Sequence, residues 1–202
     1  TKMIFKNINF DNLKKRYFLL FLFILSILSV NSYAQSNKNS PFKEGQVVTA
    51  VKSGTMEDLI NSIQAGNSVN ELDFDEVPAL LLAIDRGRSD MTTFLLKKGA
   101  RANQRDEQKR TALSIAARKN NVGIVNELIK FGAKPDRYGA NKETPLIIAT
   151  RFGNYESVRA LLEGGAYPDD TDLTGRTALQ WSQIKHFKRM ENALKEHGAY
   201  GN

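Results

Sequence analysis

A 33-residue period constrains this chain more than any other feature. Gly99-Ala100, Gly132-Ala133, Gly165-Ala166 and Gly198-Ala199 recur at that spacing. Leu80, Leu113, Leu146 and Leu179 recur in phase with them, as do Leu95, Leu128, Leu161 and Leu194. Ala83, Ala116 and Ala149 form another column, which Ser182 completes; Asn70, Asn103, Asp136, Asp169 and Asn202 form a fifth. Columns in register specify a repeat architecture, because one unit cannot bury its apolar face until a neighbour stacks on it.

Within each period the residues read as two short helices. Thr111, Thr144 and Thr177 stand just before apolar helical patterns, where a hydroxyl accepts from free backbone N–H groups. Pro145 follows Thr144 at the first helical position, where its missing N–H costs nothing. Leu146 and Ala149 share one face, and the alanine lets the next helix approach closely. A second helix is expected over Tyr155–Glu163, with Val158, Leu161 and Leu162 apolar and Gly165 ending it. Gly54, Gly87, Asn120, Gly153 and His186 occupy the turn between the two helices. Gly and Asn tolerate positive φ there, and His186 breaks the pattern.

Thr144-Pro-Leu-Ile-Ile-Ala149 resembles the ankyrin motif at every position but its His, and Thr111–Ala116, Thr177–Ser182 and Pro78–Ala83 are weaker versions. With the period and the Gly-Ala column, this resemblance covers about residues 46–202. It implies an all-α solenoid of stacked helix-turn-helix units: four clear repeats and a degenerate one over 46–70, which keeps Ala50, Gly54, Ile63 and Asn70. The last second helix, rich in Lys188, Arg189, Glu191, Asn192, Lys195 and Glu196, suits a C-terminal cap facing water. The family's finger-loop Gly is Glu76, Lys109 and Lys142 in three repeats and survives as Gly175, so the finger shape stays open.

The leader has a separate signature. Lys14-Lys15-Arg16 precedes an apolar run of 14 residues, Tyr17–Val30. A bilayer needs about 20 helical residues, so the run suits a signal-peptide core. Ser32 and Ala34 are small at the peptidase-read positions, which predicts cleavage after Ala34. A leader retained as an anchor is the competing reading. Thr1-Lys2-Met3 puts the start at Met3 or upstream. The expected organisation is therefore a signal peptide over 1–34, a flexible lead-in over 35–45 and the repeat domain over 46–202. The formal net charge of +7 belongs largely to the leader, which holds five basic residues against Asp11; 24 basic and 21 acidic residues remain. That balance excludes an electrostatic footprint for nucleic acid.

Little in the chain points to chemistry. With 0 Cys, there are no disulfides, thiolate zinc sites or cysteine nucleophiles. The two imidazoles, His186 and His197, both fall in the cap and read as solvated. Asp169, Asp170 and Asp172 lack the ligand spacing of a calcium loop, and a turn role suffices for Asp169. Glu71, Asp73, Asp75 and Glu76 around Phe74 read as a solvated loop, and Trp181 is expected in the core. No phosphate-binding Gly-rich loop is present. No catalytic, cofactor or metal residue is assigned.

The resemblance places partner contacts on either side of the motif. These are Phe74, Asp75, Val77, Asp85 and Arg86; then Glu107, Gln108, Arg110, Arg118 and Lys119; then Ala140, Asn141, Glu143, Arg151 and Phe152; then Leu173, Thr174, Arg176, Ile184 and Lys185. The candidate protein-binding set is Asp85, Arg86, Glu107, Gln108, Arg110, Arg118, Lys119, Asn141, Arg151 and Phe152. Phe152 stands in a column that otherwise holds Arg86, Lys119 and Lys185, and no folding reason accounts for an aromatic there. Arg118, Lys119, Arg151 and Phe152 are expected to form one basic-aromatic patch. The resulting expectation is a non-enzymatic, monomeric protein-binding solenoid of the exported bacterial type, periplasmic or secreted, without stable membrane insertion after cleavage. The alternatives are a ligand-binding or enzymatic protein on the same scaffold, and a membrane-tethered adaptor.

Overall fold

A computed structural model describes residues 44–200. The leader expected over 1–34, its cleavage point, most of the lead-in and Asn202 lie outside the described residues.

Ten α-helices are found among the described residues, in five pairs. They are α1 (Gln46–Ser53), α2 (Met56–Gln64), α3 (Ala79–Asp85), α4 (Ser89–Lys97), α5 (Ala112–Arg118), α6 (Val122–Lys130), α7 (Pro145–Arg151), α8 (Tyr155–Glu163), α9 (Ala178–Ile184) and α10 (Lys188–Glu196). The odd-numbered first helices stack on one another in chain order, and the even-numbered second helices do the same. This is the stacked helix-turn-helix solenoid that the period predicts. α1 and α2 form the degenerate first unit.

Helix starts follow the expected chemistry. The hydroxyls of Thr111, Thr144 and Thr177 accept from the backbone N–H of Ser114 (3.0 Å), Ile147 (3.3 Å) and Gln180 (3.2 Å). Ser114 and Gln180 return a bond to the cap residue's own N–H. Such a cap contributes about 1 kcal/mol. The second repeat has Pro78 in that place and makes no side-chain cap.

The columns are the core. Leu95, Leu128, Leu161 and Leu194 are fully buried, and Leu80, Leu113, Leu146 and Leu179 nearly so. Burial of each such side chain stabilises by about 1.5–3 kcal/mol. Ala83, Ala116 and Ala149 have no exposed surface at the first-helix contacts. Ser182 fits the same slot because its hydroxyl donates to the Leu179 carbonyl at 2.7 Å.

The Asn/Asp column does more than shape a turn. Its carboxamide or carboxylate Oδ1 accepts a backbone N–H from the next repeat each time. Asn70 accepts from Arg101 (2.8 Å), Asn103 from Lys134 (2.8 Å), Asp136 from Tyr167 (2.7 Å) and Asp169 from Tyr200 (3.1 Å). An acceptor 31 residues upstream thus pins each loop, which explains why Asn and Asp serve equally.

Candidate functional site

The fingers joining each second helix to the next first helix are organised by one aspartate. Asp73, Asp106 and Asp172 each turn Oδ1 back onto backbone N–H groups ahead in the finger. Antiparallel bridges Leu72–Pro78, Arg105–Thr111 and Thr171–Thr177 close those three fingers. Glu76, Lys109 and Gly175 take positive φ at the same finger position, 55°, 59° and 76°. The finger shape therefore persists without glycine. The third finger differs because Gly139 stands where the aspartate should be. A short 3-10 turn over Ala140–Lys142 replaces the aspartate-centred loop, with Asn141 and Lys142 both at positive φ. A Cβ on Gly139 would stand 3.2 Å from the Lys109 carbonyl, so the two fingers touch through this glycine. Asn141 also accepts from the Leu173 N–H of the fourth finger at 2.9 Å.

The acidic loop around Phe74 is not uniformly solvated, which corrects the sequence expectation. Asp73 is buried and takes Lys52 Nζ at 2.9 Å, while Glu44 pairs with the same ammonium. Burial would raise the Asp73 carboxyl, but Lys52 and the Val77 and Asp75 N–H groups hold it below its usual range. Glu71 reaches back to accept from Val47 N–H at 2.9 Å and caps α1. These acids tie the first unit to the second; Phe74 itself is exposed.

Nine of the ten candidate binding residues separate into three groups, and Arg86 stands apart. Arg110, Arg118, Arg151 and Phe152 line one hollow of about 270 Å³ with Glu143 and Ile148, between the first helices and the fingers. Phe152, the C-terminal cap of α7, is 58% exposed there. The Arg118 guanidinium lies 5.9 Å from its ring centre. Glu107, Gln108 and Asn141 line a separate cleft of about 680 Å³ at the finger tips, together with Tyr138 and Leu173. Asp85 and Lys119 form the third group: Lys119 Nζ lies 3.2 Å from Asp85, and Arg110 Nη1 lies 3.9 Å from it. Lys119 thus turns toward the preceding repeat rather than joining Phe152. Arg86 is exposed at the end of α3.

Partner carboxylates divide the arginines. Arg110 is held by Asp106 at 2.6 Å, and Arg151 pairs with Glu143. Among the described residues, Arg118 has no carboxylate in ion-pair range. Asn154 fixes its backbone, donating from Nδ2 to the carbonyls of Ala117 (2.8 Å) and Arg118 (2.7 Å). The repeat carrying Phe152 therefore grips the helix end carrying Arg118.

Trp181 packs against the core, as expected, but also makes surface contacts that the sequence did not suggest. Its indole is only half-buried, packed against the core on one side. The guanidinium groups of Arg151 and Arg176 approach the ring to 4.9 Å and 5.3 Å. Nε1–H donates to Asp172 Oδ2 at 2.8 Å. Burial would push the Asp172 carboxyl up, but Thr174, Trp181 and two backbone N–H groups hold it below the usual range. The motif position alone gave no sign of this; two arginines one repeat and five residues away were the available signal.

No cluster of three potential metal-ligating side chains occurs among the described residues, and no described helix is long and apolar enough to cross a membrane. A family model described as ankyrin repeats (3 copies) matches residues 47–139 and 119–202. A comparison with curated proteins found no match.

Proposed function

The chain belongs to the ankyrin-repeat family, whose repeats generally mediate protein–protein interaction, and from that premise we propose that it is a non-catalytic module that binds another protein after export. Its contact surface is the hollow around Phe152, flanked by the finger-tip cleft. One observation carries this reading: Phe152 is a large, 58% exposed aromatic with the Arg118 guanidinium over its ring. More than half of that side chain is left to solvent, outside the buried columns of the stack, and aromatic and arginine anchors dominate interface energetics. Among the described residues Arg118 also has no carboxylate in ion-pair range, so a partner carboxylate can pair with it without breaking such a bridge.

The export element rests on the basic cluster, the 14-residue apolar run and Ser32/Ala34. Intact mass of the exported chain tests it: a mature N-terminus at Gln35 is expected, and full-length protein in the membrane fraction would contradict it. For binding, tagged wild-type and Phe152→Ala chains are compared as bait in the exported fraction. Proteins that wild type retains and the variant loses support the reading. Identical captured sets would contradict it.

A further inference from the structure

Two guanidinium groups face one hollow behind the finger bases. Arg105 comes from the segment between α4 and the second finger, and Arg137 from the matching segment one repeat later. With Arg101 and Gln104 they line a hollow of about 570 Å³. The Nε atoms of Arg105 and Arg137 are buried, and no described protein group accepts from either. None of the three arginines enters an ion pair among the described residues. The Tyr138 ring, 5.1 Å from the Arg105 guanidinium, orients it.

The repeat does not demand arginine here. Leu72, Tyr138 and Thr171 occupy the Arg105 column, and Glu71, Gln104 and Asp170 the Arg137 column. Arginines therefore meet at this one junction for a reason other than stacking. Grouped cations repel, and a desolvated charged donor without an acceptor is costly. A tetrahedral oxyanion in the hollow answers the repulsion through the guanidinium N–H groups that line it, since guanidinium forks match its geometry and charge.

We propose that this hollow binds an oxyanion of the phosphate class between Arg105 and Arg137, with Arg101 adding charge. Gln104 Oε1 is a third buried atom there without a partner among the described residues. The site is distinct from the hollow around Phe152, although Arg105 also lines the finger-tip cleft beside Tyr138.

The probes are inorganic phosphate and O-phosphoserine, titrated into the full chain at constant ionic strength. The readout is NMR of the arginine Nε–H signals. Saturable shifts of the Arg105 and Arg137 signals are expected. Arg105→Gln or Arg137→Gln should weaken binding roughly tenfold, the loss of a charge-assisted hydrogen bond. Lys188→Gln, exposed on the last repeat, should leave it unchanged. Equal affinity for both probes assigns a free oxyanion, and clearly tighter phosphoserine assigns a phosphorylated side chain. Non-saturating shifts in wild type overturn the proposal without reference to any variant. Unchanged affinity in both Gln variants overturns it as well, because phosphate then occupies a site that neither arginine builds.

Discussion

Arg151 holds its guanidinium 4.9 Å from the centre of the Trp181 ring, one repeat further along the stack. Arg118 likewise approaches an aromatic of the next repeat, Phe152, at 5.9 Å, though in a different column. The difference lies in what each aromatic is free to do. Trp181 is half-buried and tethered through Nε1 to Asp172, whereas Phe152 has no such tether and faces outward. Reversing the charge of Arg151 would place a carboxylate beside Glu143 and remove a stacking cation, so that change perturbs packing as well as charge. Arg118→Glu is the cleaner probe of the binding surface.

Ala149 is fully buried where α7 packs between α5 and α9, so Ala149→Leu should overpack the stack by about 1–3 kcal/mol. Ala140→Leu, on an exposed finger, should be near neutral. Urea midpoints compare the two. Equal shifts would contradict the register of the repeats.

Lys109 adopts φ 59° in a finger position where Gly175 adopts 76°. A side chain pays about 1 kcal/mol or more in this region. Lys109→Gly should therefore stabilise the chain by up to about 1 kcal/mol, part of the gain being offset by the freer unfolded chain. Gly175→Ala should destabilise it by a similar amount; its Cβ would meet no atom within 4 Å, so the effect is that of the backbone alone. Opposite signs in thermal denaturation are the expected result.

Acid should weaken the fourth finger. Asp172 has a folded-state pKa held below the ordinary aspartate value of about 3.9. Its contribution is fully present above that value and disappears as pH falls through the lowered pKa. Asp172→Asn should cost about 1.5–3 kcal/mol at pH 7. It should also flatten the loss of stability below pH 4. Denaturation curves at pH 7 and pH 3 test both, and parallel wild-type and variant losses would refute the assignment.

The stack was legible in the sequence because its determinants recur. Leu and Ala columns define faces, Thr marks helix starts, and 33-residue spacing sets the register. Even His186, which breaks the Gly/Asn turn column, adopts φ 58° and keeps the turn. Gly54 is the exception: it takes φ −89°, and its lack of a side chain matters because a Cβ would stand 2.8 Å from Ala50 Cα. The surface was less legible because its contacts cross repeats at irregular offsets. Asp85 with Lys119, Arg151 with Trp181 and Asn154 with the Arg118 carbonyl pair different columns, so periodicity does not announce them. The third finger was hidden in a single change, Gly139 in the column of Asp73, Asp106 and Asp172.

Titration calorimetry of the captured partner against folded wild type, Phe152→Ala and Tyr167→Ala tests the central claim most directly. Tyr167 is equally exposed, at 59%, but does not line the Phe152 hollow. Phe152→Ala should lose roughly 2 kcal/mol of binding free energy or more, and Tyr167→Ala almost none. Unchanged affinity in Phe152→Ala, or an equal loss in both variants, would contradict the assignment of this hollow as the binding site.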